Sequence, residues 1–323
     1  MNTIALVGNP NSGKTTVFNA LTGSNQHVGN WPGVTVEKKE GKFKFDEKTY
    51  NVVDLPGTYS LGAFSEDEIV ARDFILKGNP DVVINVVDAT NIERNLYLTT
   101  QLLEMGAKVV VALNMIDEAE ERNIKFDMDA LSKKLGAPVV PTIASKRKGM
   151  DELIKKSIEL MEKDMDHKPH ISYGENIDKE VKRLKGFLKN GELEYPSQWI
   201  AIKLLEGDQY ILELVNKDEY LNSSEEFKCM MEQLRESAED YELEIIDKRY
   251  EFVNNVADKT VKRPDVVVET RTDRIDKILT HKYLGLPIFA LIMLAVFQLT
   301  FAIGEDLLGE LVALMEDWNE LPI

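Results

Sequence analysis

The 323 residues hold 39 Lys and Arg against 56 Asp and Glu, a formal charge of −17, with 43% hydrophobic and 29% charged residues. This length allows two domains and a sizeable core. The acidic balance argues against nucleic acid as a partner, because phosphate contacts along a duplex need clustered Lys and Arg.

The chain enters an apolar run, Ile4 to Val7, without a basic segment and h-region ahead of it, so no secretory signal is expected. Directly after this strand, residues 8 to 16 read GNPNSGKTT, a strand–loop–helix phosphate cradle. Gly8 and Gly13 let the backbone curl so that successive N–H groups point inward; Lys14 can reach the β and γ phosphates, and the Thr15 hydroxyl is placed to ligate Mg²⁺. Gly8, Asn9, Asn11, Ser12, Gly13, Lys14, Thr15 and Thr16 are therefore the loop's candidate nucleotide-binding residues. A glycine-rich segment, His27 to Thr35, follows, and the Thr35 hydroxyl could close on Mg²⁺ when a γ phosphate is present, which would make the segment a switch. Val34 to Phe45 is expected to add an edge strand, and Tyr50 to Val53 a core strand.

That core strand ends in Asp54-Leu55-Pro56-Gly57, which presents a carboxylate to the water shell of Mg²⁺ and a glycine N–H to the γ phosphate. Thr58 stands where Ras-like proteins place a water-orienting glutamine, so hydrolysis is expected to be slow or to use another device. Arg72 reads as a helix-surface ion pair with Glu68 rather than as an internal arginine finger. The Asn11 side-chain carbonyl could hold a monovalent cation, K⁺, supplying the missing charge. Lys14, Thr35, Asn11 and Gly57 are the candidate catalytic set, and Thr15, Thr35 and Asp54 the Mg²⁺ set.

Further apolar runs at Val82 to Val87, Val109 to Leu113 and Val139 to Val140 alternate with helix-length segments and complete an α/β parallel sheet flanked by helices. After the fourth run comes Asn114-Met115-Ile116-Asp117. The Asp117 carboxylate can accept from guanine N1–H and the exocyclic amine, Asn114 contacts the opposite base edge, and Met115 replaces the customary lysine. Ala144 occupies the position that offers a backbone N–H to guanine O6, with Ile143 in place of the usual serine.

Past Met161 the sequence becomes charged, and His167 and His170 read as a solvated linker. Helical spacing then takes over: Ile177, Val181, Leu184 and Leu188 share one face, Phe227, Met231, Leu234 and Ala238 another, with Cys229 expected on a buried face. The one cysteine excludes an internal disulfide. A strand is expected at Asp265 to Glu269. Residues 284 to 304 carry no charge over a length that spans about 31 Å as a helix, matching a bilayer core. Arg271, Arg274, Lys277 and Lys282 precede this span and place the nucleotide domain in the cytoplasm. The expected organisation is a P-loop G domain at 1–165, a helical spacer at 166–268, a basic linker at 269–283, a transmembrane helix at 284–304 and an amphipathic tail at 305–323.

The chain resembles the ferrous-iron transport protein B (FeoB) family in GNPNSGKTT at 8 to 16, NWPGVTVE at 30 to 37, VDLPGTYSL at 53 to 61, VVDATNIERNLYL at 86 to 98, NMID at 114 to 117, WIAIKLLEGD at 199 to 208 and IDKILTHKYLGLPIFALIM at 275 to 293. The resemblance implies a P-loop GTPase on the cytoplasmic side of the inner membrane, binding GTP and GDP. It implies a helical spacer that modulates nucleotide release, and a membrane region that carries Fe²⁺. It further implies a K⁺ site formed by Asn11 and the backbone near Gly29 and Trp31. Family members continue through further spans, so the chain is expected to be the start of a longer membrane region, with the bilayer and a second copy of the chain among its candidate partners. The competing expectation is a membrane-anchored or Era-like regulatory GTPase not coupled to iron.

Overall fold

The computed structural model describes residues 2–23, 26–62, 65–163, 171–191, 193, 195–264 and 271–319. The first part runs β1 (Thr3–Gly8), α1 (Lys14–Thr22), β2 (Gln26–Asn30), β3 (Glu37–Phe45), β4 (Lys48–Asp54), α2 (Glu66–Lys77), β5 (Val82–Asp88), α3 (Ile92–Glu104), β6 (Val109–Asn114), α4 (Ile116–Glu121), β7 (Lys125–Phe126), α5 (Met128–Leu135), β8 (Val139–Pro141) and α6 (Met150–Glu162). Seven strands form one sheet in the order β2-β3-β4-β1-β5-β6-β8. From β4 to β8 the pairings are parallel, and β2-β3-β4 is an antiparallel extension. β1, β5 and β6 have helices over both faces, which is why they read as unbroken apolar runs rather than as alternating ones. Their carboxyl ends, with those of β4 and β8, gather Gly8, Asp54, Asp88, Asn114 and Pro141 along one rim, where α/β sheets bind ligands.

The expected edge strand is corrected in place and extent. Glu37–Phe45 lies inside the sheet, paired with β4 on one side and with β2 on the other, and the edge is β2. All five β2 residues are exposed, so an edge strand with a single ladder to satisfy has no buried face to print an apolar pattern on QHVGN.

The second part contains α7 (Glu175–Leu188), α8 (Ser197–Leu205), α9 (Gln209–Lys217), α10 (Glu219–Ser223), α11 (Glu225–Glu236), α12 (Ala238–Thr260) and β9 (Val261–Lys262). α7 buries Ile177, Val181, Leu184 and Leu188, as its spacing predicts. In α11 the buried positions are Phe227, Met230 and Leu234, one stripe at i, i+3 and i+7, and Cys229 falls off that stripe and is exposed, contrary to the expectation of a buried thiol. His167, His170 and the strand expected at 265–269 lie outside the described residues.

One apolar cluster runs from the sheet face under α3 through Trp199, Ile200 and Leu204 of α8 into Ile245 and Val253 of α12, so residues 1–264 pack as one unit. A buried charge cluster crosses the same seam. Arg249 of α12 donates to both oxygens of Glu104 at 2.8 Å each and also pairs with Glu206; Tyr173 donates to Glu104, and Lys203 lies 2.6 Å from Glu206. The seam also closes through a short ladder of β9 on β7 and a bidentate Arg263–Glu93 pair at 2.5 and 2.8 Å.

Residues 265–323 form a second unit, with α13 (Arg271–Leu279) and α14 (Gly285–Asn319). Within α14, Gly285–Ile303 is long and apolar enough to cross a membrane, with mean hydropathy 2.4 and none of that stretch buried in the protein. The helix continues without a break to Asn319, through most of the segment expected as a separate tail.

Candidate functional site

The loop between β1 and α1 is built around two glycines at positions where a side chain would force a shift. Gly13 has φ +85°, and a Cβ there would lie 2.3 Å from Asn114 Nδ2; at Gly8 a Cβ would lie 2.7 Å from the Val86 carbonyl. Asn11 also sits in the left-handed region at φ +66° and is exposed at the loop's tip. α1 begins without a side-chain cap or a first-turn acid, so its leading N–H groups and dipole are left to serve an anion. Thr15 and Thr16 stand exposed at that end.

Lys14 and Asp54, forty residues apart, form an ion pair beneath the loop. Burial pushes the Asp54 carboxyl up, and Lys14 beside it opposes that shift. Gly57 follows, 3.6 Å from Pro10 measured from a Cβ built on it, and the Thr58 N–H donates to the Gly8 carbonyl at 3.3 Å, so the loop after β4 lies against the phosphate loop. The Thr58 hydroxyl turns onto its own loop, donating to the Ser60 carbonyl at 2.6 Å.

On the other side the Asn114 amide braces two loops: Nδ2 donates to the Ser12 carbonyl at 3.0 Å, and Oδ1 accepts from the Ala144 N–H at 3.1 Å and the Thr142 hydroxyl at 3.3 Å. Through these bonds Asn114 holds the 142–144 loop and the phosphate loop in register, and its amide keeps a second N–H beyond the one given to Ser12. Met115 has φ +62° and lies over Gly13, 3.4 Å from a Cβ there. Asp117 lies at the start of α4, partly exposed. Lys146 donates to it at 2.7 Å, and that hydrogen bond holds its carboxyl below the usual range. The motif's own lysine position, 115, holds a methionine, and the cation beside Asp117 comes from Lys146 in the loop after β8, which no local spacing announces.

The glycine-rich segment forms a hairpin, with the Trp31 N–H donating to Val36 O at 2.9 Å. Gly29 is laddered opposite Lys38, Thr35 is exposed in the connecting loop, and Trp31 packs edge-on against Phe74 of α2 at 5.3 Å with Lys38 over its face at 4.8 Å. Among the described residues no hydrogen bond joins Thr35, Gly29 or Trp31 to Asn11, so the structure gathers the loop, Asp54, Gly57 and Asn114 but not the switch residues.

Arg72 is neither on the surface nor paired with Glu68. It is 1% exposed, with its guanidinium 4.6 Å over Tyr210, 3.7 Å from Asp208 Oδ2 and donating to the Gly62 carbonyl at 3.4 Å. Glu68 accepts from the Ser60 hydroxyl instead. The i, i+4 pattern predicts the pair, but the guanidinium meets its α2 neighbour Asp73 at 3.3 Å, and Asp208 and Tyr210 of the helical part cover it.

Comparison with known proteins agrees with this architecture. A family model described as ferrous iron transport protein B matches residues 2–157, and one described as the FeoB cytosolic helical domain matches residues 173–262. The chain is 41% identical over 306 residues to the Fe(2+) transporter FeoB of Escherichia coli K12, covering 94% of this chain and 39% of that protein. It is 42% identical over 311 residues to an Fe(2+) transport protein A/Fe(2+) transporter FeoB fusion protein of Porphyromonas gingivalis, covering 93% and 37%. It therefore spans less than half the length of these relatives. The crystal structure of the cytosolic domain of T. maritima FeoB in its GMPPNP form superposes with a TM-score of 0.71 at 41% identity, over 81% of this chain and all of that one. With both family models in their expected order and a whole cytosolic domain matched, the chain belongs to the FeoB family of ferrous iron transport proteins.

Proposed function

We propose that this chain binds GTP and GDP at the Gly8–Thr16 loop and hydrolyses GTP, and that in the membrane protein to which it belongs the nucleotide state gates or drives Fe²⁺ entry. The observation that carries the reading is the convergence of the loop, the Lys14–Asp54 pair, Gly57 and Asp117 on one rim of a parallel sheet. Lys14 would hold the β and γ phosphates, releasing Asp54 toward the water shell of a Mg²⁺ ion. The donor set fits that ion: an exposed Thr15 hydroxyl and a buried carboxylate are hard oxygen ligands. The Thr35 hydroxyl would join them when the hairpin loop closes. When bound, Mg²⁺ would supply charge neutralisation at the transferring phosphates. Asp117 selects guanine by accepting from two donors that adenine does not present together.

A neutral amide on the exposed Asn11 suits K⁺, and the Gly29 and Trp31 carbonyls would complete the site after movement of the hairpin. K⁺ there would supply positive charge beside the phosphates. The apolar stretch Gly285–Ile303 supports a bilayer anchor with the nucleotide-binding part in the cytoplasm, the side on which the preceding Arg and Lys residues are retained.

The test is Fe²⁺ uptake into cells lacking other ferrous importers, expressing the protein with its whole membrane region either intact or as Asp117→Asn, together with GTP turnover of the purified protein in K⁺ and in Na⁺. Uptake lost in Asp117→Asn ties guanine nucleotide to iron entry; uptake that persists there refutes the coupling. Turnover that Asn11→Ala leaves equally K⁺-stimulated refutes the K⁺ site.

A further inference from the structure

The segment Asp88 to Asn95, between β5 and the first turn of α3, is built more rigidly than a connection requires. Asp88 Oδ1 accepts from the Thr90 N–H and hydroxyl at 2.8 Å each, its Oδ2 accepts from Asn91 Nδ2 at 2.8 Å, and Asn95 returns to the Asp88 N–H at 3.3 Å and the Asn91 carbonyl at 2.9 Å. This self-capped turn sets one side chain, Arg94, whose guanidinium lies over the ring of Tyr59 at 4.2 Å. The same turn touches the phosphate loop, since Asn9 Nδ2 donates to the Arg94 carbonyl at 3.5 Å, while Asn9 Oδ1 is buried without a partner.

Tyr59 is two residues past Gly57. The loop that carries both is pinned at either end, by Thr58 N–H on the Gly8 carbonyl and by the Leu61 N–H on Gln101 Oε1 at 2.7 Å. Between these pins Ser60 is held by its hydroxyl on Glu68 at 2.8 Å, and Tyr59 is held by the Arg94 contact. Among the described residues no ion pair claims the Arg94 guanidinium, whereas its neighbour Glu93 is taken by Arg263. A cation held over an aromatic face keeps both groups in one geometry at a partly exposed site.

We propose that Arg94 is a positioning residue for GTP hydrolysis: it acts through Tyr59 to hold Gly57 and Thr58 at the distance from the phosphate loop that the γ phosphate and the attacking water need. This rests on the GTPase reading above. Thr58 brings no glutamine amide to orient water, so the placement of the loop's own backbone becomes the limiting contribution.

The test is steady-state GTP turnover of the full chain in detergent with Arg94→Ala, Arg94→Lys, Tyr59→Leu and the Arg94→Ala/Tyr59→Leu double variant, alongside affinity for a fluorescent GMPPNP analogue. Arg94→Ala and Tyr59→Leu should each lower kcat by about ten- to a hundredfold, the range that follows a misplacement of order 1 Å. KM and analogue affinity should stay within about twofold, a split that a general loss of folding would not produce. The double variant should be no slower than the slower single one, and Arg94→Lys should recover part of the rate, because an ammonium also sits over an aromatic face. The proposal is overturned if Arg94→Ala keeps kcat, or if Arg94→Ala loses it while Tyr59→Leu does not, which would make Arg94 act on the substrate itself. Failure of the unsubstituted chain to hydrolyse GTP would overturn the GTPase reading and this proposal with it.

Discussion

Replacing Arg249 by Met should be the most damaging single change in the seam between the two parts of residues 1–264. The Arg249 side chain is 1% exposed, and those of Glu104 and Glu206 are 4% and 9% exposed. Met fills most of the volume but removes the cation, and the two carboxylates then fare differently. Glu206 keeps Lys203 at 2.6 Å, whereas Glu104 is left with the Tyr173 hydroxyl as its remaining described partner. Breaking a buried pair by removing one partner costs about 3–5 kcal/mol, because a charge stays buried without compensation. Against a total stability of about 5–15 kcal/mol this is a large fraction. With a urea slope of about 2 kcal/mol per molar, the midpoint should fall by about 2 M. The buried Trp199 reports the transition when the chain carries Trp31→Phe and Trp318→Phe. Adding Glu104→Gln to Arg249→Met should restore about 1–2 kcal/mol, since an unmet amide costs less than an unmet charge. A loss below about 1 kcal/mol for Arg249→Met, or no recovery in the double variant, would refute the account of a desolvated cluster.

The same cluster sets a pH dependence. Burial tends to raise the Glu206 carboxyl, but Arg249 and Lys203 outweigh it and hold the group below its ordinary 4.5. Its folded-state contribution is therefore fully present above about 4.5 and is lost as pH falls toward its folded value, so the urea midpoint should decline below pH 4.5 and do so less in Glu206→Gln. Gly13→Ala should weaken GDP binding by at least about tenfold, since the left-handed φ alone costs about 1–3 kcal/mol and the new Cβ meets Asn114; unchanged affinity by titration with a fluorescent GDP analogue would count against the loop geometry. Lys146→Ala should cost at most about fivefold in GDP affinity, because the Lys146–Asp117 pair is exposed; a larger loss would mean that Lys146 contacts the nucleotide itself. Trp31 fluorescence should change when GMPPNP binds if the hairpin leaves Phe74, and a spectrum unaltered relative to Trp31→Phe would show that the hairpin does not move.

The strand–loop–helix at Gly8–Thr16, the placing of Asp54 and Gly57 beside it, the parallel sheet, the α7 stripe and the apolar stretch of α14 are legible in the chain because each is local. A strand flows into its loop, a helix repeats every 3.6 residues, and a bilayer span is a matter of length and composition. What the tertiary structure decided is where long side chains end. The i, i+4 spacing assigns Arg72 to Glu68, but it is buried against Asp73, Asp208 and Tyr210. Asn114 ties the phosphate loop to the 142–144 loop, a bracing role that the motif's spacing does not print. Lys146 and Arg94 find their partners 29 and 35 positions away. β2 carried no pattern because an exposed edge buries nothing. Periodicity records which face is buried, but an arginine or an amide can reach several partners of equal chemistry, and only the packing of the helical part on the sheet selects among them.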